Sequence, residues 1–235
     1  MILAQGIPEQ GKCMTSAVAY QAVAYQGVAW LRAMLCCCAL ALAAVSVEAI
    51  AEDAAQGPTR NVVWLQDPWT GKSVQASYPE PDQSLWDATQ IKDYEAARQA
   101  DYPPPLGVLF IDDLNIQVPV YNGTDEHILE RGAGRIKGMA KISGNGKLGI
   151  SAHRDSFFRG LKDIEMGDEI LLQSPHGVEK YAVSDIKIIP KDDTSVLAPV
   201  DHRELMLVTC YPFYHVGAAP ERFIVTALPA TDPVE

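Results

Sequence analysis

The run "ELMLVTCYPF" (Glu204–Phe213) decides how the chain is read. Its apolar, β-rich character predicts a strand that stops near Cys210, because a proline two residues later cannot donate to a ladder inside a sheet. The next comparable run, "RFIVTA" (Arg222–Ala227), follows the loop Tyr211–Glu221. Paired as antiparallel neighbours with Cys210 opposite Arg222, the strands also set Val208 against Ile224 and Met206 against Thr226, all on one face. A one-residue slip would send the thiol and the guanidinium to opposite faces.

An arginine beside a cysteine favours the thiolate and offers rigid donors to an oxyanion. Both effects suit acyl transfer, which also calls for a histidine to hold the ion pair or to protonate a leaving amine. Five histidines are available. His153 closes the run "KLGISAH" (Lys147–His153), with Gly149, Ser151 and His153 on one predicted strand face and Arg154-Asp155 directly after. His215 lies five positions from Cys210 and can reach it across the loop. His127, His176 and His202 fall in helix or turn settings rich in charge, where a solvated ring is ordinary. Spacing leaves both His153 and His215 open. It also leaves open a buried structural cysteine, since free thiols are among the most buried groups.

Outward from this pair, the chain alternates short β-type runs with turn residues: "LGVLFI", "LNIQVPVY", "DEILLQS" and "EKYAVSDIKII" join the three already quoted. Seven or eight strands in so short a span predict a mainly β closed barrel or sandwich. A short helix over Thr124–Glu130, capped by Thr124, interrupts them. Upstream, residues 52–104 are expected to be a tether holding one helix, Ser84–Ala100, with Leu85, Ala88, Ile91, Tyr94 and Ala97 at helical spacing. The prolines 103–105 stiffen its end and mark a domain start. The expected organisation is therefore residues 1–51 as an N-terminal segment, 52–104 as tether, 105–229 as catalytic barrel and 230–235 as tail.

The N-terminal segment has an uncharged stretch from Ala33 to Val47 behind Arg32. It fits a signal anchor with Arg32 on the cytoplasmic side, a signal peptide cleaved after Ala49-Ile50-Ala51, or a buried helix. Export is the expectation, because the polar stretch that follows suits a tether. Four of the five cysteines, Cys13 and Cys36–Cys38, lie in this segment, so the remainder has only Cys210 and cannot form an internal disulfide. Glu9, Lys12, Arg32 and Glu48 cancel, which leaves the whole net charge of −11 on residues 52–235. An acidic domain repels phosphate backbones, so no nucleic-acid partner is expected. No compact carboxylate cluster has the spacing of a calcium loop, and no cofactor or metal is expected.

Together, "LGISAHRDSFFRGLKDIEMGDEI" (Leu148–Ile170), "LMLVTCYPF" (Leu205–Phe213) and "APERFIVTA" (Ala219–Ala227) resemble the sortases, above all the class D and Gram-negative types. The resemblance spans roughly Pro104 to Ala227. It implies an eight-stranded closed β-barrel with short helices, held at the membrane with its catalytic domain on the extracytoplasmic side. It further implies that His153, Cys210 and Arg222 are the catalytic residues, which separates His153 from His215.

The activity implied is cysteine transpeptidation. A protein substrate with a C-terminal LPxTG-like sorting signal is cleaved through a Cys210 thioester, and the acyl group passes to an amine acceptor at the cell envelope. Thr209, Met206 and Val208 are then expected near the substrate. Met206 departs from the threonine that opens the family's Thr-Leu-x-Thr-Cys pattern, while Thr209 is kept. Asp113–Tyr121 and Lys187–Pro199 are expected as walls of the peptide groove. The tail contains Leu228-Pro229-Ala230-Thr231, a partial sorting motif read as coincidence. Alternatives are a tethered β-domain that binds peptides without cutting them, and a cysteine peptidase that releases product to water. L,D-transpeptidases fit poorly, since they place glycine before the cysteine and arginine two residues after it, where this chain has Thr209 and Pro212.

Overall fold

The computed structural model describes residues 60–214 and 217–230. The expected membrane helix, His215 and the tail from Thr231 onward lie outside the described residues. Two strands come first, β1 (Arg60–Gln66) and β2 (Ser73–Pro79), then helix α1 (Ala88–Gln99). Then follow β3 (Gly107–Ile111), β4 (Ile116–Asn122), the short helix α2 (Glu126–Leu129), β5 (Ala133–Arg135) and β6 (Lys147–Ser151). The chain closes with β7 (Glu169–Ser174), β8 (Gly177–Pro190), β9 (Glu204–Tyr211) and β10 (Glu221–Pro229).

Eight of these strands form a closed barrel in the order β10-β8-β7-β3-β4-β5-β6-β9. Neighbours are antiparallel except β4 with β5 and β6 with β9, which run parallel. Alternate side chains fill the interior, where Leu109, Ile111, Val120, Ile150, Leu172, Leu207 and Val225 are fully buried. Closure removes the exposed edges that would otherwise template aggregation. The strand with no counterpart among the predicted runs is β5, only three residues of "AGR", too short to show a period. Gly134 lets it fit: a Cβ there would lie 1.9 Å from the Gly123 carbonyl oxygen.

The stretch read as a tether with one helix is more ordered than that, because β1 and β2 pair as an antiparallel hairpin. Leu65, Ala76 and Tyr78 pack on Val108 of β3, with Val63 and Phe110 alongside. The hairpin escaped the periodic reading because Val62 and Trp64 are apolar yet exposed, so β1 has no clean alternation. Helix α1 starts later than predicted, at Ala88, because Asp87 accepts hydrogen bonds from the amides of Thr89 and Gln90 while the Gln90 side chain accepts from the Asp87 amide. That reciprocal pair is a capping box. Of the predicted stripe, Tyr94 and Ala97 are buried and Leu85 is exposed. The N-cap position of helix α2 is Asp125 rather than Thr124, with no side-chain capping hydrogen bond.

Leu228 and Pro229 of the sorting-like stretch belong to the barrel wall. Leu228 pairs with Ala182, Pro229 with Tyr181, and the Ala230 amide donates to the Lys180 carbonyl at 2.9 Å.

Asp67, in the hairpin turn, clips that turn to the barrel. Its carboxylate accepts from the amides of Trp69 and Thr70 and from the Thr70 hydroxyl, and it lies 2.6 Å from His176 Nε2 in the β7–β8 turn. Burial opposes its ionisation, but the His176 bond and the turn amides outweigh it and hold the pKa at about 2. The carboxylate is thus ionised more readily in the folded than in the unfolded chain. Its contribution is complete above the ordinary value of 3.8 and disappears as the pH falls from there through about 2. Asp67→Asn is therefore expected to cost on the order of 2 kcal/mol at pH 7. Thermal melts of the two proteins should converge as the pH approaches 2.

Candidate active site

Cys210 owes its place to the pairing of β9 with β10. The register sets Cys210 opposite Arg222, Val208 opposite Ile224 and Met206 opposite Thr226, as the spacing predicts. Leu205, Leu207, Phe223, Val225 and Ala227 belong to the interior core. Alternation therefore turns Cys210 and Arg222 to the outer face. Just past the thiol, β9 ends at Tyr211, and the Tyr211–Pro212 peptide is cis. Tyr211, Phe213 and Phe223 pack together, Tyr211 stacked on Phe223 and Phe213 edge-on to it at 5.3 Å between ring centroids. Across the pair, Arg222 Nη1 donates to the Glu221 carbonyl at 2.9 Å, which fixes the root of the guanidinium.

His153 arrives from β6, the parallel neighbour of β9. That strand ends at Ser151, so His153 lies in the loop beyond it and not on a strand face. Two bonds hold the intervening Ala152 to β9: its amide donates to the Val208 carbonyl at 3.3 Å, and its carbonyl accepts from the Thr209 hydroxyl at 2.8 Å. The next residue, Arg154, is buried and donates through Nη2 to the Gly217 carbonyl at 2.9 Å.

His153, Cys210 and Arg222 all line one open cavity of about 370 Å³, together with Arg154, Asp155, Lys191 and residues 217–219. Three cationic side chains around a thiol make the cavity suited to a carbonyl that becomes an oxyanion. The other described histidines are elsewhere: His176 is paired with Asp67, His202 with Asp201 and Glu204, and His127 with Glu130. Among the described residues, Cys210 is the free cysteine.

The expected substrate residues fare differently. Thr209 and Met206 are each 1% exposed, so neither presents a surface to a peptide. Thr209 faces inward and spends its hydroxyl on Ala152; Met206 sits across the sheet from Gly149, where Met139 and Ile136 close over the strand. Val208 is half-buried on the outer face beside Cys210. Asp113–Tyr121 does not wall this cavity; residues 114–117 line a separate one with Trp86, Phe157 and Arg159. From Lys187–Pro199 the cavity takes Lys191, anchored where its amide donates to the Pro220 carbonyl at 2.9 Å. Sequence reasoning assigned no part to Arg154, although its adjacency to His153 was a signal, and it reached Lys191 only as one member of the expected wall Lys187–Pro199.

The Sortase domain family model matches residues 109–230. The chain belongs to the sortase family. Sortase D of Bacillus subtilis (strain 168) is 38% identical over 136 residues, which cover 56% of this chain and 69% of that relative. Among solved structures, a lid mutant of sortase A from Corynebacterium diphtheriae is similar at 26% identity and a TM-score of 0.51, covering 62% of this chain and 96% of its own. The sortase D5 transpeptidase of Clostridium perfringens has the same TM-score at 20% identity, covering 63% of this chain and 93% of its own, and so bears on the fold alone. Sortases are cysteine transpeptidases that act on proteins carrying sorting signals, and this chain has their barrel.

The Thr209 hydroxyl ties the strand of the thiol to Ala152, the residue before His153. Thr209→Val keeps the shape and removes the bond, and is expected to cost about 1 kcal/mol. Urea denaturation checks that figure, and turnover should fall further than the stability loss explains.

Proposed function

We propose that this sortase domain cleaves an LPxTG-like signal with Cys210 as nucleophile, His153 as acid and base, and Arg222 as oxyanion and substrate clamp. The observation that carries this is the meeting of the three side chains on one cavity, with Cys210 and Arg222 paired across β9 and β10. The Cys210 thiolate attacks the threonine carbonyl, and Arg222 holds the tetrahedral oxyanion. His153, as the imidazolium, protonates the departing amine. A thioester remains, and an amine acceptor resolves it to a new amide. Similarity to Sortase D of Bacillus subtilis supports a class D type. The uncharged stretch Ala33–Val47 behind Arg32 is the ground for placing the domain at the cell envelope, on the extracytoplasmic side of the membrane.

Mass spectrometry of protein incubated with a library of LPxTG-type peptides should reveal an acyl adduct on Cys210, absent from Cys210→Ala. Arg222→Ala should lower turnover by roughly 100- to 1000-fold, the scale for removing an oxyanion donor. Activity should follow a bell-shaped pH profile, because only the form with both Cys210 and His153 correctly protonated reacts. Thiol labelling that is slow and indifferent to Arg222→Ala would instead favour a non-catalytic binding domain. Product that forms only by hydrolysis, even with amine present, would mark a peptidase.

A further inference from the structure

The loop between β8 and β9, residues 191–203, starts at the thiol end of the barrel, because Pro190 and Tyr211 both pair with Glu221. From Lys191, which lines the thiol cavity, it runs to the opposite end of β9. Both ends of the loop are held to the barrel. At the first, the Lys191 amide donates to the Pro220 carbonyl at 2.9 Å. At the second, the Asn145 side chain donates to the Asp201 carbonyl at 3.3 Å, and Arg203 pairs with Glu179 at 2.6 Å. Between them the bonding among the described residues is local: the Asp193 amide returns to the Pro190 carbonyl, the Asp193 carboxylate accepts from the Ser195 amide, and Ser195–Leu197 forms one 3-10 turn. The exception is the Val196 carbonyl, which accepts from Lys147 Nζ at 2.8 Å.

Lys147 opens β6, the strand that leads to His153, and it pairs in register with Glu204, which opens β9, the strand of Cys210. Leu148 and Leu205 fill the interior, so alternation turns Lys147 and Glu204 to the outer face, where Met206, Val208 and Cys210 follow. Lys147 Nζ lies 3.1 Å from Glu204 Oε1, and the two side chains are 12% and 11% exposed. Glu204 Oε2 in turn lies 3.3 Å from His202 Nε2.

We propose that Lys147 is a positioning residue for the substrate: through Val196 it holds the β8–β9 loop against the outer face as a fixed wall beside the sorting-signal peptide. The proposal rests on the transpeptidation set out above. Two observations give the loop bond this part. None of the residues of the turn Ser195–Leu197 is buried and Leu197 is 39% exposed, so apolar burial does not hold the loop down. The strand ends, by contrast, do not need the ammonium, since the Glu204 amide already donates to the Gly146 carbonyl at 3.2 Å. The dimensions agree. From Glu204 to Cys210 the strand runs about 20 Å, whereas four extended residues such as LPxT measure about 13 Å. A peptide lying along this face from the sulfur therefore ends short of the pinned turn, with the loop beside its whole length.

Two substitutions separate the loop bond from the ion pair. Lys147→Met keeps the length of the side chain and removes both contacts, while Glu204→Gln removes the partner's charge and leaves Lys147 on Val196. With an LPxTG-type peptide that acylates Cys210, Lys147→Met should raise KM about tenfold and hold kcat within about twofold, and Lys147→Arg should recover part of the loss. Glu204→Gln should lower the melting temperature and keep KM within about twofold of wild type. Hydrogen exchange across residues 192–200 should quicken in Lys147→Met and not in Glu204→Gln. Alkylation of Cys210 by iodoacetamide, which is too small to use the wall, should keep its wild-type rate in every variant. If Lys147→Met melts too low to assay, Lys147→Met with Glu204→Gln, which leaves no unpaired charge, takes its place with the same expected KM. A KM that stays at the wild-type value without Lys147, or that merely tracks lost thermal stability in both variants, overturns the positioning role and leaves transpeptidation standing. Absence of an acyl adduct on Cys210 of the wild-type protein overturns transpeptidation itself, and the part given to Lys147 with it.

Discussion

Antiparallel pairing between β9 and β10 is the constraint on which the rest of the site depends. Backbone hydrogen bonds, not side-chain contacts, set Cys210 opposite Arg222. Because strand side chains alternate with period two, that register also decides what the interior receives: Leu207 and Val225 go in, while the thiol and the guanidinium go out. Packing and chemistry are thus locked to the same ladder. Slipping the strands by one residue would bury the guanidinium and expose the core apolar groups, so apolar burial itself opposes a misplaced nucleophile.

The third group depends on a parallel pairing. β6 lies beside β9, so the end of one strand brings its loop to the end of the other, and Ala152 is held to β9 from both its amide and its carbonyl. An antiparallel neighbour would have carried its following loop to the opposite end of the barrel. The parallel arrangement lets residues 57 positions apart share a hydrogen bond and puts His153 on the cavity of Cys210.

Much of this was legible from residue order. Short apolar runs bounded by turn residues, such as β7 and β10, stand out, and the proline after Cys210 marks where β9 ends. The Cys210–Arg222 register followed from counting inward from the loop. Three features resisted. β5 is too short to show a period, and its fit depends on Gly134 lying against Gly123, a contact that local sequence does not encode. The β1–β2 hairpin has apolar residues on both faces of β1, so its sequence carries no strand period. Thr209 and Met206 sit beside the nucleophile in sequence, yet one points inward and the other lies under a neighbouring segment; proximity along a strand does not give proximity to a ligand.

Placing the reactive groups outside the barrel separates two kinds of sequence change. Interior positions such as Ile150 or Leu172 are free to drift among apolar residues of similar volume, since what they alter is how firmly the wall stands. Positions on the loops after β6, β8 and β9 reshape the rim around the sulfur without disturbing that wall. A scaffold divided in this way can acquire new peptide preferences through its surface segments while its hydrophobic filling evolves on a separate clock.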